Sequence, residues 1–191
     1  MARVSNPANQ NNTETSARLI KYLLKHKHFS PFEMVSMCVK ITTTRSIAQQ
    51  IIRHRSFSFQ EFSQRYAQVT ANPVIPQLRR QDTKNRQNSI DDLDEFTVQD
   101  FEIKSQFVFA QCQKLYEEML KAGVAKECAR DVLPLGSETT IYMHGTLRSW
   151  IHYCDLRCGN GTQKEHMDIA NGCRELIQQQ FPLVFEAINN V

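Results

Sequence analysis

The chain has 191 residues, of which 41% are hydrophobic and 23% charged, and a net charge of +3. That is enough chain to bury one ordinary core, with globular composition. No apolar run approaches the roughly 18 residues of a membrane span, Met1-Ala2-Arg3-Val4-Ser5-Asn6 lacks the apolar core of a signal peptide, and so mild a charge does not make a nucleic-acid binder without a concentrated patch.

In chain order, the Asn-rich stretch from Asn6 to Asn12 reads as a loop. Leu19, Ile20, Leu23 and Leu24 recur at helical spacing, which predicts a helix from Thr15 or Ser16 with cationic character near its end, at Lys25 to His28. Pro31 breaks the chain. Met34 to Thr42 is rich in Val and Ile and reads as a strand. Thr42 to Thr44 supply a cap for a helix reaching about His54, with Ile47 and Ile51 on its buried face. Phe57 to Arg65 reads as extended. Residues 67–100 are polar, with Pro73, Pro76 and the clusters Arg79-Arg80 and Asp91-Asp92; they read as a solvated excursion of a length that is uncommon without function. A long amphipathic helix over about 98–122 ends at Gly123, followed by a short helix over 124–131 and a strand from Gly136 to His144. Further helices are predicted over 146–157 and 163–181, the last stopped by Pro182.

Strands and helices mix without regular βαβ alternation, and there is no GxGxxG or Walker loop. The fold class is therefore α+β, in a single domain over 1–191. The six cysteines, Cys38, Cys112, Cys128, Cys154, Cys158 and Cys173, form no CxxC pair. Cys154 and Cys158 sit four apart without a second ligand pair, so no metal site is expected; core cysteines in a reduced, cytosolic protein fit better.

The informative stretch is Gln50 to Tyr66, QIIRHRSFSFQEFSQRY. Gln50 and Arg53 share a helix face. Arg53-His54-Arg55 gathers donors that suit a phosphorylated ligand, although a basic helix end alone would serve the helix dipole. If residues 57–65 are extended, Glu61, Ser63 and Arg65 point the same way and offer an acceptor, a hydroxyl and a cation. Such a set reads a sugar hydroxyl, a phosphate and a base edge. Ser63 as a nucleophile would need an activating base, and sequence alone does not place His54 beside it.

These residues carry a resemblance. Arg53-His54-Arg55, seven residues, then Ser63 matches the signature of the flavin-dependent thymidylate synthases, and Gln64-Arg65-Tyr66 continues it. Ala2-Arg3-Val4-Ser5, Arg18 to His28, Ser30-Pro31-Phe32-Glu33, Asn85-Arg86-Gln87-Asn88-Ser89, Ala129-Arg130, Leu133-Pro134-Leu135, Leu147-Arg148-Ser149 and Leu156-Arg157 with Gln163 and Glu165 are similar too, in the right order over nearly the whole chain. Thr146 and His152 stand where asparagines are common in the family, Met34 and Gly161 where histidines are.

The resemblance implies a mostly antiparallel sheet flanked by helices and a homotetramer with active sites built from several subunits. It implies transfer of the methylene of 5,10-methylenetetrahydrofolate to carbon 5 of dUMP, with FAD reduced by NADPH and then supplying the hydride. By the same resemblance Ser30, Arg53, His54, Arg55, Glu61, Thr146, Leu147, Arg148 and His152 would contact FAD. Gln50, Ile51, Ile52, Arg53, Glu61, Phe62, Ser63, Gln64, Arg65, Arg130 and Arg157 would bind dUMP. Arg157 would also favour ionisation at nitrogen 3 of the uracil, since a cation beside an acidic N–H stabilises the anion. Arg148 and His152, four apart, would share a helix face, and Arg157, nine beyond Arg148, would lie roughly opposite. The competing readings are a nucleotide-binding flavoprotein reductase, a family member without activity, and a small basic nucleic-acid module. The last would need stripes of basic residues with interleaved aromatics rather than these discrete clusters.

Overall fold

The computed structural model describes residues 1–69, 73–159 and 161–189. Helix α1 (Ser16–Lys25) buries Leu23 and Leu24. A 3-10 turn, Ser30–Met34, buries Phe32 and leads into strand β1 (Ser36–Thr44). Helix α2 (Arg45–Ile51) follows at once, because the Thr44 hydroxyl accepts from the Ile47 amide and caps its first turn. Strand β2 is Ser58–Glu61. A two-residue ladder, β3 (Arg80–Gln81) with β4 (Ser89–Ile90), precedes helix α3 (Glu95–Lys121), which Asp94 caps through the Thr97 amide. Gly123, at φ +85°, takes the left-handed conformation past its end. Helix α4 (Lys126–Ala129) leads to strand β5 (Glu138–Thr146), helix α5 (Leu147–Arg157), helix α6 (Lys164–Gln180) and helix α7 (Pro182–Asn189).

The main sheet runs β1-β5-β2, antiparallel throughout. Its register puts Ser36 opposite Thr146, Thr44 opposite Glu138, and Ser58 opposite His144. The pleat then turns Thr139, Ile141, Met143 and Gly145 of β5 inward together, beside Val39 and Ile41 of β1. Gly145 is needed where it stands. A Cβ there would lie 2.4 Å from the Phe57 ring. That ring packs edge-on against Trp150 at 4.8 Å, so it has nowhere to go. Trp150 is fully buried and donates its indole N–H to the Met37 carbonyl at 3.0 Å. A smaller cluster of Val69, Tyr116 and Ala129 anchors α3, with the Tyr116 hydroxyl accepting from the Val69 amide at 3.1 Å.

The α+β expectation and the predicted helices hold, with ends displaced by a few residues. Four readings change. The extended segment from Phe57 to Arg65 is a strand only as far as Glu61; residues 64–66 turn, with the amides of Tyr66 and Ala67 both bonded to the Ser63 carbonyl. Alternation therefore stops before Ser63 and Arg65. Pro182 ends α6 and also opens α7, because a proline is accommodated in a first turn that has no use for its N–H. The polar excursion is tied down: Arg80 meets Asp92 at 2.5 Å, and Arg79 grips Glu165 of α6. Of the six cysteines only Cys154 and Cys173 are buried.

Candidate functional site

Two strand-to-helix junctions and one turn assemble the first group of side chains. Thr146 ends β5 and caps α5, accepting from the Ser149 amide at 3.4 Å. A threonine oxygen can cap a helix as an asparagine does, so this departure from the family pattern leaves the cap in place. Its hydroxyl also donates to Glu33 Oε2 at 2.9 Å, and Arg148 Nη1 donates to Glu33 Oε1 at 2.5 Å. Hydrogen bonds from Arg148 and then Thr146 hold the Glu33 carboxyl below the usual carboxylate range. Ser149 Oγ donates to the Ser56 carbonyl at 3.2 Å, fastening α5 to the segment that carries Arg53, His54 and Arg55.

Phe29, Glu33, Ser56, Thr146, Arg148, Ser149 and His152 border a cleft of about 550 Å³. The Arg148 guanidinium lies 5.7 Å from the centre of the Phe29 ring. Arg148 and His152 share this cleft, as their spacing implies. Ser30 is exposed in the 3-10 turn beside it, and Leu147 is a core residue whose amide already donates to the Val35 carbonyl at 2.7 Å.

Arg157 lies elsewhere on α5 and donates from Nε to His54 Nε2 at 3.0 Å. An arginine only donates, so His54 Nε2 carries the lone pair and Nδ1 the proton. Burial, then the charges of Arg157, His152 and Arg53, push His54 down to about 4. The His54 ring stands edge-on to Tyr153, centres 5.0 Å apart. His54 thus serves Arg157, which removes it as an activating base for Ser63. Behind it, fully buried His166 joins Tyr153 and Gln50. His166 is pushed down to about 4 as well, by burial, then Arg157 and His54.

Both rings are therefore neutral in the fold at pH 7, while in the unfolded chain they protonate near pH 6.5. Between those values the unfolded state holds more protons, so stability falls as the pH drops from about 6.5 towards 4. Thermal melting at pH 7 and pH 4.5 should show a lower midpoint in acid; a flat profile would mean that the rings titrate as in water.

The remaining predicted residues form a second group. Glu61 accepts from Arg45 Nη1 at 3.3 Å and from Thr139 Oγ1 at 3.1 Å. Arg65 donates to Glu127 Oε2 at 3.2 Å and Arg130 to the Glu127 carbonyl at 3.3 Å. The structure so brings Arg65 and Arg130 together across the sequence, and it directs Glu61 and Arg65 to different partners. Phe62 is exposed, Ser63 half-buried and Ile51 a core residue. Arg53, Arg55 and Ile52 are exposed. Gln64 is only 4% exposed, and its Nε2 has no hydrogen-bond partner among the described residues. An orphaned buried amide of this kind fits a ligand that accepts from it. No hydrogen bond joins the Arg65–Arg130 group to the Arg157–His54 group among the described residues.

Sequence reasoning left Tyr153 and His166 without roles. The signals were present: Tyr153 is four before Arg157 on one helix, and His166 heads the buried stripe His166, Ala170, Cys173, Ile177. Burial pushes the Cys154 thiol up, and the Cys173 thiol up to about 12, so neither is a nucleophile.

The sequence matches the model of a family described as thymidylate synthase complementing protein over residues 1–183. It is 51% identical over 188 residues to a probable flavin-dependent thymidylate synthase of Paramecium bursaria Chlorella virus 1, covering 98% of this chain and 87% of that one. It is 50% identical over 187 residues to the flavin-dependent thymidylate synthase of Synechocystis, covering 98% and 86%. Among solved structures, a UMP/dUMP methylase from Streptomyces cacaoi bound with 5-Br dUMP superposes with a TM-score of 0.88 at 26% identity, over 99% of this chain and 87% of that one. On the family model and these two relatives, the chain belongs to the flavin-dependent thymidylate synthase family.

Proposed function

We propose that this protein methylates dUMP to dTMP, taking the carbon from 5,10-methylenetetrahydrofolate and the hydride from FAD reduced by NADPH. The observation that carries this reading is the pairing of Arg157 with a neutral His54, on the same helix that gives Arg148 to the cleft. Arg148, Thr146, His152 and the exposed Arg53 and Arg55 would hold the flavin nucleotide, whose diphosphate suits arginine forks. When bound, the flavin supplies hydride transfer. Ser30 would add its exposed hydroxyl and Leu147 its backbone carbonyl to that set.

Gln50, Gln64, Arg65, Arg130 and Arg157 supply the donors for dUMP, with Glu61 and Ser63 for its sugar and base and Ile51, Ile52 and Phe62 as backbone and apolar support. Arg157 uses Nε on His54, and neither Nη has a hydrogen-bond partner among the described residues. Those two donors would face the uracil, favour loss of the nitrogen 3 proton and raise electron density at carbon 5.

The protein acts as a homotetramer in this reading. Exposed Phe96, Ile103 and Phe107 lie along one face of α3, and Phe101, Val108 and Leu115 repeat every seven residues along another. Only Tyr116 of that helix is buried. A helix with apolar residues on several faces needs cover, and copies of the same chain provide it. The free cysteines fit a reducing cytoplasm, and no described helix is long and apolar enough to cross a membrane.

The test is the visible spectrum of the purified protein with FAD, then with NADPH, with and without dUMP. A bound-flavin spectrum that NADPH bleaches at a rate responding to dUMP is expected. A protein that binds no flavin would overturn the reading.

A further inference from the structure

His166 performs no task in the reading above, yet it occupies a position on the buried stripe of α6 where an apolar side chain would do. A buried imidazole needs partners at both nitrogens. His166 Nδ1 lies 3.4 Å from Gln50 Oε1, and Nε2 lies 3.1 Å from the Tyr153 hydroxyl.

The bonds that lead to it fix every orientation. Arg79 holds the Glu165 carboxylate through both Nη atoms, at 2.8 and 3.1 Å. A carboxylate only accepts, so Gln163 presents its NH₂ to Glu165 Oε2, at 2.8 Å, and its oxygen to Gln50. Gln50 then donates from Nε2 to that oxygen, at 2.7 Å, which leaves its own oxygen towards His166. An amide oxygen only accepts, so Nδ1 carries the proton. The ring is kept neutral by burial and by the neighbouring Arg157 and His54. Nε2 is then an acceptor, and Tyr153, whose hydroxyl burial keeps protonated, donates to it.

We propose that His166 is a positioning residue of the nucleotide site, holding the Gln50 amide oxygen inward through Nδ1–H so that the second N–H of Gln50 is kept for the nucleotide. Through Tyr153 it also backs the His54 ring that receives Arg157. This rests on the reading that Gln50 and Arg157 bind dUMP.

The test measures dUMP affinity of the FAD-loaded protein by equilibrium dialysis for wild type and for His166→Asn, His166→Gln and His166→Phe. An asparagine amide reaches the place of Nδ1 and restores the bond to Gln50; a glutamine amide reaches the place of Nε2 and restores only the bond to Tyr153. The Phe and Gln variants should bind dUMP roughly tenfold more weakly and the Asn variant within about threefold of wild type. Equal losses in the Asn and Gln variants would show a packing role and overturn the proposal, as would a Phe variant within twofold of wild type. Glu165→Gln removes the acceptor-only end of the chain at a partly exposed site, and it should weaken dUMP similarly. If the His166 variants do not fold, wild-type affinity in Glu165→Gln overturns the proposal. Wild-type protein that binds FAD but no dUMP removes the nucleotide reading itself, and the role of His166 with it.

Discussion

Replacing Arg157 by alanine is expected to lower turnover by roughly 100- to 1000-fold, the scale of losing one well-placed donor to developing charge. The guanidinium is held at the C-terminal end of α5 by the His54 imidazole, at 3.0 Å. That partner is neutral, so the arginine is not neutralised by it and keeps its full charge for the ligand. A carboxylate in the same place would cancel that charge. Arg157→Lys should recover little, because an ammonium on a flexible stem cannot donate to His54 and fork towards the uracil together. The cleft around Arg148 and Glu33 is built without Arg157, so the flavin absorbance of the variant should match wild type. The readout is the rate of dTMP formation with flavin content measured in the same preparation. Near-normal turnover would remove Arg157 from the mechanism.

Phe107→Glu on α3 is expected to break the assembly into smaller species and to cut activity at least tenfold. The helix is 27 residues long, about 40 Å at 1.5 Å per residue. Phe107 is 66% exposed, with Ile103 and Phe96 on the same face. A carboxylate buried among such residues in a subunit contact has no partner there and costs several kcal/mol, more than a typical interface residue contributes. Activity should follow because, among the described residues of one chain, the Arg65–Arg130 group and the Arg157–His54 group have no hydrogen bond between them. Sedimentation velocity with parallel assays decides the matter. Wild-type protein that sediments as a monomer at micromolar concentration would refute the tetramer.

The fold was legible where local rules suffice. Thr44 before α2, Gly123 after α3 and the Leu19 to Leu24 spacing of α1 are each settled within a turn or two of chain. The extent of β2 was not, because strand length depends on what β5 offers opposite it, and the ladder ends at Glu61 opposite Ile141. The candidate site was legible as composition, with Arg53, His54, Arg148 and Arg157 identified one by one through resemblance. Which of them meet was not legible. The His54–Arg157 contact spans 103 positions and the Arg148–Glu33 contact 115. His166 escaped notice because a histidine on an apolar stripe reads as filler until its two partners are seen.

The two threonine caps have a mechanical consequence. Thr44 closes β1 and starts α2; Thr146 closes β5 and starts α5, and neither junction contains a single linking residue. Each is a rigid elbow, its backbone committed to the sheet on one side and to the helix on the other. Swinging the helix that carries Gln50 or the one that carries Arg157 away from the sheet would break a cap and the end of the strand ladder together.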